Sequence, residues 1–216
     1  MGHAPAVIAW SADGQRGVAW GRCATGEPAF IKTFPRATKG RNQEAGWLVE
    51  QALQGIAPRL IAQRHTPERT FLLIEDLDPS GEAARPCISD AVAMAERLAS
   101  IDVTHGDLTP WNLLRLPRGI HLVDWESAHW GHRPFVDLAH YVVSAMELGD
   151  LPCRTAYRQL ADQQLRLRRY ALDLGEDDWL GRLTSELSGH RLAGRATQGL
   201  IERLDPRLPA TEDSSV

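Results

Sequence analysis

Cysteine is scarce in this chain of 216 residues. Cys23, Cys87 and Cys153 are widely spaced, odd in number and form no CxxC pair. That argues against a disulfide framework and against a cysteine-based structural zinc site. Long apolar runs are missing too. None approaches the roughly 18 residues that a membrane-spanning helix needs, so no membrane span is expected. The opening MGHAPAVIAW has no positively charged segment ahead of a long apolar one, so it does not read as a signal peptide. MGHAPA also lacks the Ser or Thr of a myristoylation signal. A cytoplasmic location is the resulting expectation. Nor is there a basic excess: 24 Lys and Arg face 28 Asp and Glu, a net charge of −4 that argues against general nucleic-acid binding. Internal repeats and low-complexity tracts are absent.

What remains is the composition of a globular protein, 43% hydrophobic and 24% charged, with enough apolar material for one substantial domain or two small lobes. Up to Leu77 the pattern is mainly strands. Apolar runs at 7–10, 18–23 and 29–34 are separated by polar, glycine-bearing turns at 11–17 and 24–27. Residues 44–53 carry Trp47, Leu48 and Leu53 at roughly helical spacing. Two further strands are expected around 60–62 and 71–74, with a turn at 66–69 between them. Beyond a loop at 78–81 the character changes. A helix capped by Ser89 or Asp90 should run through Ala91, Met94, Ala95 and Leu98. Runs at 113–114 and 120–123, flanking Pro117, Arg118 and Gly119, predict a hairpin. Helices are expected over 134–148, 155–174 and 176–204, ahead of a polar, frayed tail at 209–216. A strand-rich first part and a helix-rich remainder predict an α+β protein with two lobes, 1–77 and 78–216.

The chemistry concentrates in two segments, Thr-His-Gly-Asp-Leu-Thr-Pro-Trp-Asn from Thr104 to Asn112 and Val-Asp-Trp-Glu from Val123 to Glu126. Phosphoryl transfer from a nucleotide needs a carboxylate at the acceptor hydroxyl and oxygen ligands for a Mg²⁺ that bridges the phosphates. Mg²⁺ takes hard oxygen ligands and only one or two protein carboxylates. Asp107, the amide oxygen of Asn112, and Asp124 at the end of an apolar strand fit that division of labour.

These segments resemble the catalytic and metal-binding motifs of the aminoglycoside phosphotransferase and choline kinase superfamily, which shares the bilobal protein-kinase fold. The resemblance runs in order through residues 7–143. It implies a small antiparallel β-sheet lobe with one helix and a mainly helical lobe that carries the catalytic hairpin. Asp107 resembles the catalytic base, Asn112 and Asp124 the Mg²⁺ ligands, and His105 and Gly106 the shapers of the catalytic loop. Lys32, in Phe30-Ile31-Lys32, resembles the lysine on the α and β phosphates, and Glu44 its glutamate partner, with Glu50 as the alternative. Glu75 and Leu77 fall in the hinge that holds the purine edge. Residues 13–17 would cover the phosphates although they are not GxGxxG, and Asp137 resembles the aspartate that braces the catalytic loop.

The activity implied is transfer of the γ-phosphate of ATP or GTP to a hydroxyl of a small molecule such as an aminoglycoside, amino alcohol or sugar. Its partners would be the nucleotide, Mg²⁺ and that acceptor, with MgATP lying between the lobes. The segment between Asp76 and His105 has room for one helix only, so the acceptor wall is expected to be shorter than in the larger relatives. A nucleotide-binding pseudokinase or interaction module without turnover is the alternative. Such proteins commonly lose the lysine, the catalytic aspartate or the metal aspartate, whereas Lys32, Asp107, Asn112 and Asp124 are all present. His121, His129, His132 and His140 match no zinc spacing and read as hydrogen-bonded or solvated. The arginines between Arg154 and Arg169 read as one exposed helix face. Glu126 reads equally as a second metal contact or a surface carboxylate. Trp111 and Trp125, each beside a motif residue, are candidates for an aromatic substrate wall.

Overall fold

The computed structural model describes residues 6–10, 16–35, 41–53, 55–149 and 151–204. The turn expected to cover phosphates falls mostly outside the described residues, as does the tail at 209–216. The fold is mixed α+β, with a small antiparallel sheet and seven α-helices among the described residues. The chain divides into two units. The first comprises the residues up to Ala84 together with Leu114–Ser127, and the second comprises Arg85–Leu113 with the residues from Ala128 onward.

In the first unit, β1 (Ala6–Trp10), β2 (Gly17–Arg22), β3 (Pro28–Pro35), β4 (Leu60–His65) and β5 (Arg69–Glu75) form one antiparallel sheet in the order β1-β2-β3-β5-β4. Burial alternates along β5, where Thr70, Leu72 and Ile74 are buried. That is the period-two signature of a sheet with one covered face. Directly opposed residues share a face, so the pairs Phe30 with Ile74 and Lys32 with Leu72 put Lys32 on that covered side. The β2–β3 connection turns at Gly26, whose φ of +86° suits a residue without a Cβ and whose N–H donates to the Cys23 carbonyl.

Helix α1 (Arg41–Leu53) packs against this unit, with Glu44, Ala45, Trp47 and Leu48 buried. A hairpin of β7 (Leu113–Leu116) and β8 (Gly119–Leu122) then returns to it, for the Leu122 N–H donates to the Ile56 carbonyl at 2.6 Å. The 3-10 turn Trp125–Ser127 follows. Trp125 is fully buried, its ring 6.4 Å from that of Trp47 and its indole N–H on the Leu122 carbonyl at 2.9 Å. These contacts explain a difference from the sequence-based division after Leu77, which left the hairpin with the helices. They also remove Trp125 from consideration as a substrate wall, whereas Trp111 is half exposed.

The second unit is helical. Helix α2 (Ile88–Ser100) begins two residues earlier than a Ser89 cap would allow, and three earlier than an Asp90 cap. Cys87 holds the cap position, and Asp90, in the first turn, accepts the Cys87 N–H at 2.9 Å. Short strands β6 (Val103–Thr104) and β9 (His129–Trp130) pair antiparallel, too brief to leave a periodic trace in the sequence. Helix α3 (Val136–Glu147) is the central element, touching α2, α4 (Cys153–Asp162), α6 (Trp179–Gly189) and α7 (Arg195–Leu204). The single helix expected over 155–174 is two, α4 and α5 (Gln164–Asp173), because Gln163 at φ −96° and ψ 3° departs from helical geometry. The span 176–204 is likewise two helices. Glu147, on α3, accepts the N–H groups of Gly194 and Thr197 and the Thr197 hydroxyl, so a distant side chain starts α7 afresh. No helix among the described residues is long and apolar enough to cross a membrane.

Trp125→Ala should cost about 3–5 kcal/mol of stability, as expected for a buried aromatic. Trp111→Ala should stay within about 0.5 kcal/mol. Urea unfolding of both variants checks the contrast, and similar losses would contradict the packing described.

Candidate functional site

Within the first unit, β3, α1 and the turn after β8 bring their charges together. The Lys32 Nζ lies 2.6 Å from Glu44 Oε1 and 2.7 Å from Asp124 Oδ1. Glu44 is 1% exposed, while Glu50, the alternative partner, faces outward. Glu126 joins the group, since carboxylate oxygens of Glu44, Asp124 and Glu126 all lie within 4.8 Å of one another. Arg16 stands 3.6 Å from Glu126. Asp124 itself is held at φ +65°, a left-handed conformation that Asp tolerates better than most residues.

The electrostatics follow from burial and crowding. Burial alone would depress Lys32, but the attraction of Glu44 and Asp124 outweighs it and holds the ammonium above its ordinary pKa. Burial also pushes the Glu44 carboxyl up. Lys32 offsets part of that rise, and the carboxylates of Asp124 and Glu126 add to it. Three acids thus crowd together, two of them paired with Lys32 and the third with Arg16 at the margin. The local excess is negative.

Also in the first unit, the segment after β5 is held by side-chain hydrogen bonds. The Trp20 indole donates to Asp76 Oδ2 at 2.7 Å, and Asp76 Oδ1 accepts the Asp78 N–H at 3.0 Å. Glu75 uses its carboxylate on the Arg59 N–H at 3.2 Å. Leu77 is buried and lines a cavity of about 430 Å³ with Leu48, Ala57, Leu60 and Glu75. Its own N–H donates to no group among the described residues.

The second unit carries the other motif. His105 is fully buried and Asp137 is 1% exposed. The two oxygens of Asp137 accept the N–H groups of His105 and Gly106, each at 2.8 Å. Gly106 sits at φ +78°. Asn112 Nδ2 donates to the backbone carbonyl of Asp107 at 2.9 Å and to its Oδ2 at 3.0 Å. Both bonds use the amide nitrogen and leave the amide oxygen available as a ligand. His140 Nε2 approaches Asp107 Oδ1 at 3.3 Å and lies edge-on to His190 at 4.7 Å between ring centroids. Burial raises the Asp107 carboxyl. The hydrogen bond and charge of His140, the charge of His105 and the Asn112 bond together win, holding it below its ordinary value.

The expected residues are thus gathered as two groups, Lys32, Glu44 and Asp124 in one unit and Asp107 and Asn112 in the other. His140 is the participant to which the sequence gave no specific role, grouped with the histidines expected to be hydrogen-bonded or solvated. Its signal was there: three residues after Asp137, it occupies the same face of α3. His132 is engaged by the Val103 carbonyl and the Tyr170 hydroxyl. Among the described residues no histidine joins a metal-type cluster. No protein-family model matches the chain, and no curated protein sequence matches it.

Lys32→Met should destabilise the fold by about 3–5 kcal/mol at neutral pH, because it leaves Glu44 buried without its cation. Glu44 in the variant should hold its proton more tightly still. A carboxyl raised on folding contributes stability below its unfolded pKa and loses it as pH rises through the folded value. The stability gap to the parent chain should therefore widen as pH rises above the ordinary glutamate range, where the parent's Glu44 ionises and the variant's does not. Urea unfolding across pH measures it, and a gap that does not change with pH would contradict the reading.

Proposed function

We propose that this chain is a phosphotransferase with a two-lobed fold of the protein-kinase type, related in design to the aminoglycoside and choline kinases. It moves the γ-phosphoryl group of ATP or GTP to a hydroxyl of a small molecule. The observation that carries the reading is Lys32, fixed between the buried Glu44 and the left-handed Asp124. An ammonium so held is a preorganised donor for phosphate oxygens, and preorganisation is the main contribution a protein makes to this reaction.

The donor chemistry fits Mg²⁺. Asp124 supplies a carboxylate and Asn112 an amide oxygen, both hard ligands, and the acid excess around Lys32 would be relieved by a divalent cation. When bound, Mg²⁺ would neutralise charge on the phosphates. The rest of the chemistry belongs to the chain. Asp107, aligned by Asn112 and His140, takes a hydrogen bond from the acceptor hydroxyl. As the new O–P bond forms and the bond to the β-phosphate oxygen breaks, the hydroxyl proton passes to the Asp107 carboxylate. The nucleoside diphosphate leaves with the electron pair. A depressed Asp107 keeps the base ionised for this role. The N–H of Leu77, unpaired among the described residues, two residues after Glu75 and lining the same cavity, suits the edge of a purine ring.

³¹P NMR of the chain with Mg²⁺, ATP or GTP, and pooled amino alcohols, aminosugars and sugars tests the proposal. A new phosphomonoester signal should appear, and Asp107→Asn should slow its growth by about 10²- to 10⁴-fold. Equal turnover in that variant would overturn the assignment of Asp107. Nucleotide binding without any transfer would favour a pseudokinase.

A further inference from the structure

Beside Pro110 of the loop that carries Asp107, the second unit holds a half-open cavity of about 340 Å³, within the usual small-molecule range. Pro110, three residues after Asp107, forms part of its wall, and Ile88 and Leu151 supply apolar surface. Its polar lining is unusual in being almost wholly donors. Tyr141 is 2% exposed and borders the cavity, yet its hydroxyl has no hydrogen-bond partner among the described residues. The ring is buried while the hydroxyl opens on the cavity, where it is free to donate to a bound ligand. Gln159 accepts the Ile88 N–H through Oε1 at 3.1 Å, which leaves its amide NH₂ as a further donor. Arg85 is the one charged residue of the lining. Its guanidinium donates to the Gly149 carbonyl and forms no ion pair among the described residues.

Asp90, an acid close enough to act on Tyr141, does not line the cavity. It is turned to the Cys87 N–H and thiol at 2.9 and 3.2 Å. Burial, with the nearby Cys87 and Asp90, pushes Tyr141 well above its ordinary pKa, while Arg85 pulls it down, so the phenol remains a neutral O–H donor. A guanidinium, a phenol and a primary amide bordering one space match the lone pairs of an oxyanion. They offer a cationic amine no carboxylate to pair with.

We propose that this cavity is an acceptor subsite that takes a carboxylate or phosphate group, with Arg85, Tyr141 and Gln159 as its donors. This rests on the phosphotransferase reading and narrows it. The acceptor is a hydroxylated small molecule bearing an anionic group, in contrast to a polycationic aminosugar or a quaternary amino alcohol.

The test is an amide NMR titration of the full ¹⁵N-labelled chain with four small probes that the cavity can hold. D-Glycerate and glycerol 3-phosphate are anionic, glycerol is neutral, and 3-amino-1,2-propanediol is cationic. Inorganic phosphate is the control for a free ion. The two hydroxylated anions should give saturable shifts at Ile88 and at the Gln159 side-chain amide, tighter than inorganic phosphate, while glycerol and the amine give none. Arg85→Met should weaken the anions by about ten- to hundredfold, the loss of a charge-assisted bond. Tyr141→Phe should weaken them severalfold while keeping the parent amide spectrum. Equal response to glycerol, preference for the amine, binding of inorganic phosphate alone, or indifference to Arg85→Met would each overturn the proposal. The two readings fail separately. Arg85-dependent anion binding in a chain that transfers no phosphoryl group removes the activity and leaves an anion pocket. Transfer without Arg85-dependent binding removes the subsite and leaves the activity.

Discussion

The arrangement of the first unit depends on one ammonium group, Lys32 Nζ, held by two carboxylates that come from distant parts of the chain. Desolvating an amine is costly, and it is tolerated only when opposite charges and hydrogen bonds replace the lost water. Here β3 supplies the amine, α1 one acid, and the turn after β8 the other. The pairing therefore fixes the rotation of α1 against the sheet and the path of the chain at Asp124. The apolar contacts act in the same direction, since Trp47 on α1 stacks on Trp125 one residue past Asp124. Removing either the ion cluster or the tryptophan pair would loosen the same junction.

The second unit solves a different problem, that of holding an irregular loop. Backbone N–H groups in a loop need partners when they are buried. Asp137, almost wholly enclosed, takes two of them at once, from His105 and Gly106. Asn112 then closes the loop on Asp107 through two bonds from one nitrogen. The carboxylate of Asp107 keeps partial exposure while its orientation is set by neighbours that are themselves held. A carboxylate so placed needs little reorganisation when a partner arrives, which suits the role of base proposed for it.

Much of this was legible in the sequence because the informative signals were local. The runs at 18–23, 29–34 and 71–74 gave strands, and the Pro117 turn gave a hairpin, through alternation and turn residues alone. Glu44 over Glu50 was favoured by resemblance, and its near-complete burial gives the physical reason for its pairing with Lys32. The illegible parts were those set by distant contacts. Nothing near Gln163 announces a helix break, and α7 restarts because Glu147, far back in the chain, supplies its first acceptor. The hairpin carrying Asp124 belongs with the strands because of Ile56 and Trp47, which no periodicity links to it. Trp125 looked available beside a motif acid and proved buried. Arg85, Tyr141 and Gln159 share a cavity only because α2, α3 and α4 pack together.

Phosphate chemistry, as proposed, draws on both units: a fixed cation and an acid excess in the first, an oriented carboxylate in the second. The most direct measurement is calorimetric titration of the chain with a non-hydrolysable ATP analogue, with and without Mg²⁺, repeated for Asp124→Ala. The account predicts binding that is strengthened by Mg²⁺ in the parent chain and insensitive to Mg²⁺ in the variant. Absence of binding, or an affinity unchanged by Mg²⁺ in the parent chain, would contradict it.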